Sequence, residues 1–497
     1  MRITSIKLEN FKTFADTQTI QTDHPMICFV GENNTGKTTI FAAIDFLKNG
    51  LSKDRTIEDY KNKNKAQEDV SVEITIEGQL EEAIRNFSET KFLPYIDKHN
   101  NKETLRIKRS SKNSTILQNG KPIQLDEKKI TIFNPVTSQF ENPTGTDKVI
   151  GSLFETQFIW SDLQSGDVVD FGSTKILGKL FKEISESFKQ SKEWLDFEVA
   201  HRAAFITSDN ALSKQSSELM KNIEKSLSDF YGQAKVEMFF QTPDTSTFFK
   251  LGDVHVDDGV NTSITEKGSG MQRALALSII KVYADYLSRH KEIDNASKPF
   301  FFFIDEPEIS LHPKAQFILV QALKRISQQQ QIFVTTHSPH FLKSMGTHGE
   351  AILITSKDND CTIVTPAEAI ATFPFSPTLA EINYFAYQLE TPDFHNELYG
   401  FISKMTDNSS TTKLDNYLEN KHKIEKNKQW IRIHNKEVKP AEAVTLPTYI
   451  RHSIHHPENK RNEYFTEDEL KQSISEMLQI IKSPEFKQQV LNSNNSE

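Results

Sequence analysis

Residues 26–39 constrain this chain more than any other stretch. Met26-Ile27-Cys28-Phe29-Val30 is an unbroken apolar run, the pattern of a parallel strand buried on both faces. Gly31-Glu32-Asn33-Asn34-Thr35-Gly36-Lys37-Thr38-Thr39 follows at once and matches G-x-x-x-x-G-K-[ST] without a gap. An amphipathic helix then runs to about Asn49-Gly50. A loop so placed can turn the backbone N–H groups from Asn33 through Thr39 toward phosphate oxygens. Lys37 reaches the β- and γ-phosphates, and the Thr38 hydroxyl can ligate Mg²⁺. An ordinary glycine turn opening a helix explains far less of this pattern.

A second constellation lies some 260 residues on. Phe300-Phe301-Phe302-Phe303-Ile304 leads into Asp305-Glu306-Pro307-Glu308. A buried strand ending in acids places carboxylates at its C-terminal edge, where α/β proteins bind ligands. Asp305 is the candidate Mg²⁺ ligand, and Glu306 the candidate general base for the attacking water. One element earlier, Lys267-Gly268-Ser269-Gly270-Met271-Gln272-Arg273 opens a helix, and a helix N-terminus favours anions. The strand Gln331-Ile332-Phe333-Val334-Thr335 ends in Thr336-His337-Ser338-Pro339, so His337 sits at the next strand's edge, within reach of a γ-phosphate. Taken singly, Gly-Ser-Gly reads as a plain turn and His337 as a structural residue.

In chain order, the phosphate loop, Ser-Gly-x-Gln, acidic strand and switch His resemble the ABC-type ATPases, in the branch containing the RecF, SMC and OLD proteins. The opening strand, residues 3–9, with Asn10-Phe11-Lys12-Thr13-Phe14 is similar to that branch too. The resemblance covers about 1–80 and 236–365. It implies that Ser269, Gly270 and Gln272 of one copy complete the ATP site of another, so that two ATPs are sandwiched in a dimer. Met271 stands where a second signature Gly is usual, and Asn34 where the loop often has Gly; both variants look like the OLD-related ATPases. Gln139 and Gln157 are the two candidates for the family's glutamine loop. The OLD family's Toprim nuclease has its letters here only in Ser356-Lys357-Asp358-Asn359-Asp360. A polar hairpin between strands 351–355 and 361–365 accounts for those better.

Beyond Pro366 the texture changes to helices between polar loops. Leu379–Tyr387 leads to Phe394-His395-Asn396-Glu397-Leu398-Tyr399-Gly400. Later comes Thr448-Tyr449-Ile450-Arg451-His452-Ser453-Ile454-His455-His456-Pro457-Glu458-Asn459. Thr466-Glu467-Asp468-Glu469 reads as a capping box for a helix over 467–482. Arg451 and His456 resemble the R-x(4–6)-H motif of HEPN domains, which include metal-independent ribonucleases formed where two protomers meet. The same residues also suit an inactive helical scaffold. Lys421, Lys423, Lys426, Lys428, Arg432, Lys436 and Lys439 surround Trp430, either as a contact for nucleic acid or as a solvated face. Segments 379–400 and 448–459 are similar to the PtuA family, the ATPase subunits of Septu anti-phage systems. That likeness implies an HNH nuclease partner of the PtuB type.

The reading is an α/β ABC-type ATPase head over 1–365, with a helical insertion at about 80–235, followed by an all-α HEPN-like region over 366–497. Its cofactors would be ATP and Mg²⁺. Three functions stay open: a regulatory ATPase of a defence complex, an ATPase-controlled HEPN ribonuclease, and a DNA-repair ATPase. Composition narrows the setting. No stretch approaches the ~20 apolar residues of a membrane span, and Met1–Lys7 lacks a signal-peptide core. Two cysteines among 497 residues cannot build a disulfide framework. These features fit a cytoplasmic chain. A formal net charge of −9 opposes bulk coating of nucleic acid.

Overall fold

The computed structural model describes the chain apart from residues 53, 87–88, 119–120, 162–176, 179, 182–187, 206–210, 237–246, 249–251, 290–298, 310, 346–350, 360, 371, 374, 435–436 and 495–497. It divides into two units: Met1–Phe158 with Pro299–Glu308 and Gln330–Glu497, and Ile159–Lys298 with Ile309–Gln329.

The first unit holds two sheets. One is six-stranded, in the order Glu155–Ile159, Phe300–Asp305, Gln331–Thr336, Met26–Val30, Ala351–Asp358, Cys361–Pro366. Its three inner pairings are parallel, and the last pair is the antiparallel hairpin expected around Asp358. Every residue of Met26–Val30 and Gln331–Thr336 is buried. Phenylalanine fills one face: Phe303 stacks on Phe158 and Phe333 at 4.8 and 4.7 Å, and Phe41 of the Lys37–Asn49 helix meets it edge-on at 5.3 Å. Such aromatic pairs add to the burial of apolar area. The inner strands therefore have a dry middle, with Asp305, Thr335 and Thr336 at their C-terminal ends and Gln331 at a starting end.

The other sheet is antiparallel and seven-stranded. It runs Gln139–Glu141, Thr131–Asn134, Lys102–Ser110, Ser71–Glu77, Arg2–Glu9, Gln18–Gln21, with Asp97–His99 beside Lys102–Ser110. The expected helical insertion over about 80–235 is thus corrected in its first half, which supplies four of these strands. The physical signal is period two: Leu105, Ile107 and Arg109 are buried while their neighbours are not. Two helices, Lys192–Phe205 and Ala211–Phe230, do occupy its later part, in the second unit.

A buried glutamine ties the two sheets. Gln331, 3% exposed, opens the strand that ends at Thr336. Its Oε1 accepts from the Ile3 N–H at 2.7 Å, and its Nε2 donates to the Ile3, Thr22 and His24 carbonyls at 2.9, 2.7 and 3.1 Å. The Asn10–Phe14 turn serves the same junction: Phe11 and Phe14 are fully buried, and Phe11 packs on Phe46 of the phosphate-loop helix.

Beyond residue 366, within the first unit, six helices share one apolar core: Leu379–Tyr387, Pro392–Met405, Thr411–His422, Leu446–His455, Glu467–Lys482 and Pro484–Asn494. The capping box at Thr466 and Glu469 forms as expected, with Glu467–Lys482 beginning and ending where the pattern placed it. The region is not all-α. Lys428–Trp430 pairs with Glu442–Val444, burying Trp430 against Val444 and Tyr449, and Ile433–His434 pairs with Glu437–Val438. No described helix is long and apolar enough to cross a membrane.

Gln331→Leu tests the tie. It keeps the volume but leaves buried backbone groups unpaired, at ~1–3 kcal/mol each. Urea unfolding should show a loss of roughly 3–5 kcal/mol; a loss below ~1 kcal/mol would mean that Gln331 is not what holds the sheets together.

Candidate functional site

Three strand ends of the parallel sheet meet at the phosphate loop. Gly31 follows the central strand with φ +153°, and a Cβ there would lie 2.2 Å from the Thr355 carbonyl oxygen, so no side chain fits. Gly36 has φ +94° and caps the following helix, and a Cβ there would meet the Thr362 hydroxyl at 2.5 Å. Asn34 has φ +63°, which explains Asn where Gly is frequent, since Asn tolerates the left-handed region best of the ordinary residues. The Thr35 hydroxyl bonds the Glu32 carbonyl and the Thr355 hydroxyl, at 2.8 and 2.7 Å.

Lys37 is 4% exposed, and its Nζ donates to the Gly31 and Glu32 carbonyls at 3.0 and 2.7 Å. Burial lowers its pKa to about 8, against the upward pull of Glu306, Asp305, Glu308 and Glu32. This cation is held among carbonyls and acids, ready to exchange them for phosphate oxygens. Thr38 Oγ1 donates to the Asp305 carboxylate at 3.0 and 3.3 Å. A hydroxyl and a carboxylate side by side are hard oxygen donors of the kind Mg²⁺ takes, so these residues fit that ion. When bound there, Mg²⁺ would neutralise charge on the β- and γ-phosphates.

The acidic strand and the switch strand are in register, Asp305 opposite Thr335. The Thr335 hydroxyl donates to Asp305 Oδ1 at 2.6 Å and accepts from the Glu306 N–H at 2.9 Å. Glu306 takes φ +46° at the strand's end, and its Oε1 lies 2.5 Å from His337 Nε2. The structure thus brings Lys37, Thr38, Asp305, Glu306 and His337 together. Thr335, Thr336 and Glu308 also belong to this cluster, and sequence reading missed them. The signal was a polar Thr-Thr-His run closing an otherwise apolar strand.

The two glutamine-loop candidates are not joined to this cluster among the described residues. Gln157 is buried on the edge strand and donates to its neighbour's carbonyl, at Phe158, while Gln139 is exposed on the other sheet. Neither is placed as a glutamine loop. Ser269, Gly270 and Gln272 lie in the second unit, where Ser269 opens the Ser269–Arg289 helix. The Gly268 carbonyl accepts from the Met271 and Gln272 N–H groups, and Gln272 Nε2 donates to the Lys267 carbonyl at 2.7 Å.

Arg451 and His456 have different surroundings. Arg451 is half-buried on the Leu446–His455 helix, its pKa lowered by burial, with Tyr399 and His395 within electrostatic reach. His456 is exposed past the helix end, with Nδ1 3.3 Å from Glu458. Between them in sequence, His452 stacks on Trp430 at 5.1 Å, and burial takes its pKa down to about 4. Much of the basic stretch is paired with acids. Lys426 meets Asp415 and Glu419, Lys428 meets Glu469, Arg432 meets Glu442, and Lys439 meets Glu437. Trp430 is 2% exposed, so it offers no ring to a base. Lys436 lies outside the described residues, as does Asp360 of the Asp358 pair. No group of three or more His, Cys, Asp or Glu among the described residues is placed to hold a metal.

The AAA ATPase domain family matches residues 1–342, and the chain belongs to it. Its activity is ATP hydrolysis. Among known proteins it is similar to the Old nuclease of Escherichia phage P2, 26% identical over 73% of this chain and 60% of that protein. It is also similar to the endonuclease GajA of Bacillus cereus strain VD045, 24% identical over 69% of this chain and 57% of that one. The chain thus spans about three fifths of the length of these relatives. A solved structure of an SMC head bound to the C-terminal winged-helix domain of ScpA aligns at 14% identity and TM-score 0.42, over 75% of this chain and all of that one.

Glu306→Gln keeps the shape at His337 but removes the basic carboxylate. ATP should bind as in the parent, and hydrolysis should fall at least ~100-fold. A filter-binding assay beside a phosphate-release assay reads both; near-parental turnover would remove Glu306 from the chemistry.

Proposed function

We propose that this ATPase is the regulatory subunit of a prokaryotic anti-phage complex, holding an HNH-type nuclease partner under the control of its nucleotide state. The carrying observation is the contact between the C-terminal helices and the ATP site. Tyr387 Oη lies 3.4 Å from the Thr336 carbonyl oxygen, beside His337, and Gln388 Nε2 donates to Glu32 of the phosphate loop at 3.0 Å. Both residues close the Leu379–Tyr387 helix, in the segment that resembles PtuA. A change at the γ-phosphate therefore has a short path into the C-terminal core. The relatives named as nucleases, one of them encoded by a phage, support a setting in nucleic-acid conflict. The likeness to PtuA assigns cutting to a second subunit.

In this reading Lys37, Thr38 and Asp305 bind Mg-ATP, Glu306 activates the attacking water, and His337 reads the γ-phosphate. Ser269, Gly270 and Gln272 of a second copy cover the nucleotide, and hydrolysis or exchange reopens the pair. A second reading, an ATPase-controlled HEPN-like ribonuclease, is favoured by Arg451. Among the described residues this half-buried guanidinium makes no ion pair, as a phosphate-binding group would.

Two variants test the sandwich and separate the readings in turn. Ser269→Arg puts a bulky cation at a helix N-terminus, against the helix dipole and in the space reserved for a second copy's γ-phosphate. Sedimentation should show ATP-dependent association lost with binding to the single copy intact; unchanged association would exclude the sandwich.

Arg451→Ala should leave ATP turnover and co-purification of an HNH partner unchanged if the C-terminal region is a scaffold. Loss of ribonuclease activity from the purified chain, with assembly intact, would instead establish the second reading.

A further inference from the structure

The turn after the acidic strand carries a third acid that the hydrolytic scheme leaves unused. Glu308 is 8% exposed. Its Oε1 accepts from the Thr336 hydroxyl at 2.6 Å and from the His337 backbone N–H at 2.8 Å. Its Oε2 is buried and has no hydrogen-bond partner among the described residues. Thr336 is itself fully buried, and its Oγ1 accepts from the Ser338 N–H at 3.0 Å, so the hydroxyl is oriented toward Glu308.

Pro307 separates the two glutamates and fixes the turn between them. From this turn the two carboxyls take different parts of one residue. Glu306 meets the His337 ring at 2.5 Å, and Glu308 holds the His337 backbone. An imidazole on a loop can reach many positions; one whose backbone and preceding hydroxyl are both fixed reaches few.

We propose that Glu308 is a positioning residue for ATP hydrolysis, holding Thr336–His337 so that His337 Nε2 stays on Glu306, and that it acts as a hydrogen-bond acceptor rather than as a base. Burial raises its carboxyl pKa, against the opposing pull of the bonds from Thr336 and His337. The inference rests on Glu306 and His337 serving hydrolysis.

The two glutamates should then respond oppositely to the same change. Glu308→Gln retains an acceptor oxygen, and kcat should stay within about threefold of the parent, whereas Glu306→Gln loses its activity. Glu308→Ala should lower kcat about ten- to a hundredfold with the ATP dissociation constant unchanged, because it disturbs the loop and not the phosphate cradle. In a His337→Ala background Glu308→Ala should add nothing, since its action runs through His337. Thr336→Val removes the hydroxyl donor while keeping the shape, and should lower kcat in the same direction if Glu308→Ala fails to fold. A Glu308→Gln enzyme as inactive as Glu306→Gln would overturn the proposal, as would additive losses with His337→Ala or an unchanged kcat in Thr336→Val. Normal turnover in both Glu306→Gln and His337→Ala would remove the premise rather than this step.

Discussion

The Asp305 carboxylate is the point on which the site depends. It accepts from Thr38 on one side and Thr335 on the other, so a single charged group joins the phosphate-loop helix, the acidic strand and the switch strand. A carboxylate at 1% exposure is stable there only because hydrogen bonds replace its water. The apolar sheet beneath it admits no polar group until the strands end. Apart from Gln331 at the opposite end, the polar residues of the three strands are therefore forced to the same edge, where they must satisfy one another until a nucleotide arrives. The crowding that burial imposes is also what brings Lys37, Glu306 and His337 into one small volume.

The parts of this arrangement that follow from short-range rules were legible in the sequence. A buried strand, a glycine loop and a helix need nothing from the rest of the chain to be recognised. The same holds for the helix caps at Thr466 and for the hairpin around Asp358. The strands between 97 and 141 were harder to read, because their outward positions carry Thr, Lys and Arg and their inward ones include Arg109. That side chain is buried by donating to the Leu47 and Glu127 carbonyls, contacts no local pattern announces. The basic stretch around Trp430 was ambiguous for a related reason. Its acids come from elsewhere in the chain, Glu469 and Asp415 among them, so its charge looks free only in one dimension.

At the site itself, sequence separated what folding unites. Thr335 and Thr336 read as strand residues, yet one hydroxyl orients Asp305 and Glu306 and the other reaches Glu308. The contacts of Tyr387 and Gln388 with the switch loop and the phosphate loop span about fifty and more than three hundred residues of chain. No motif carries such information, since either residue alone is an unremarkable helix end. Gln388 adopts φ +51° as it caps the helix, and its side chain meets Glu32 from there.

The glutamine that ties the two sheets has a mechanical implication. Gln331 pins the starting end of the strand whose far end carries Thr335, Thr336 and His337. A rod clamped at one end transmits displacement only at the other, and the clamp here engages a second sheet rather than a single loop. Moving the strand along its axis would break the hydrogen bonds to Ile3, Thr22 and His24, so the second sheet resists axial displacement of the end that carries His337.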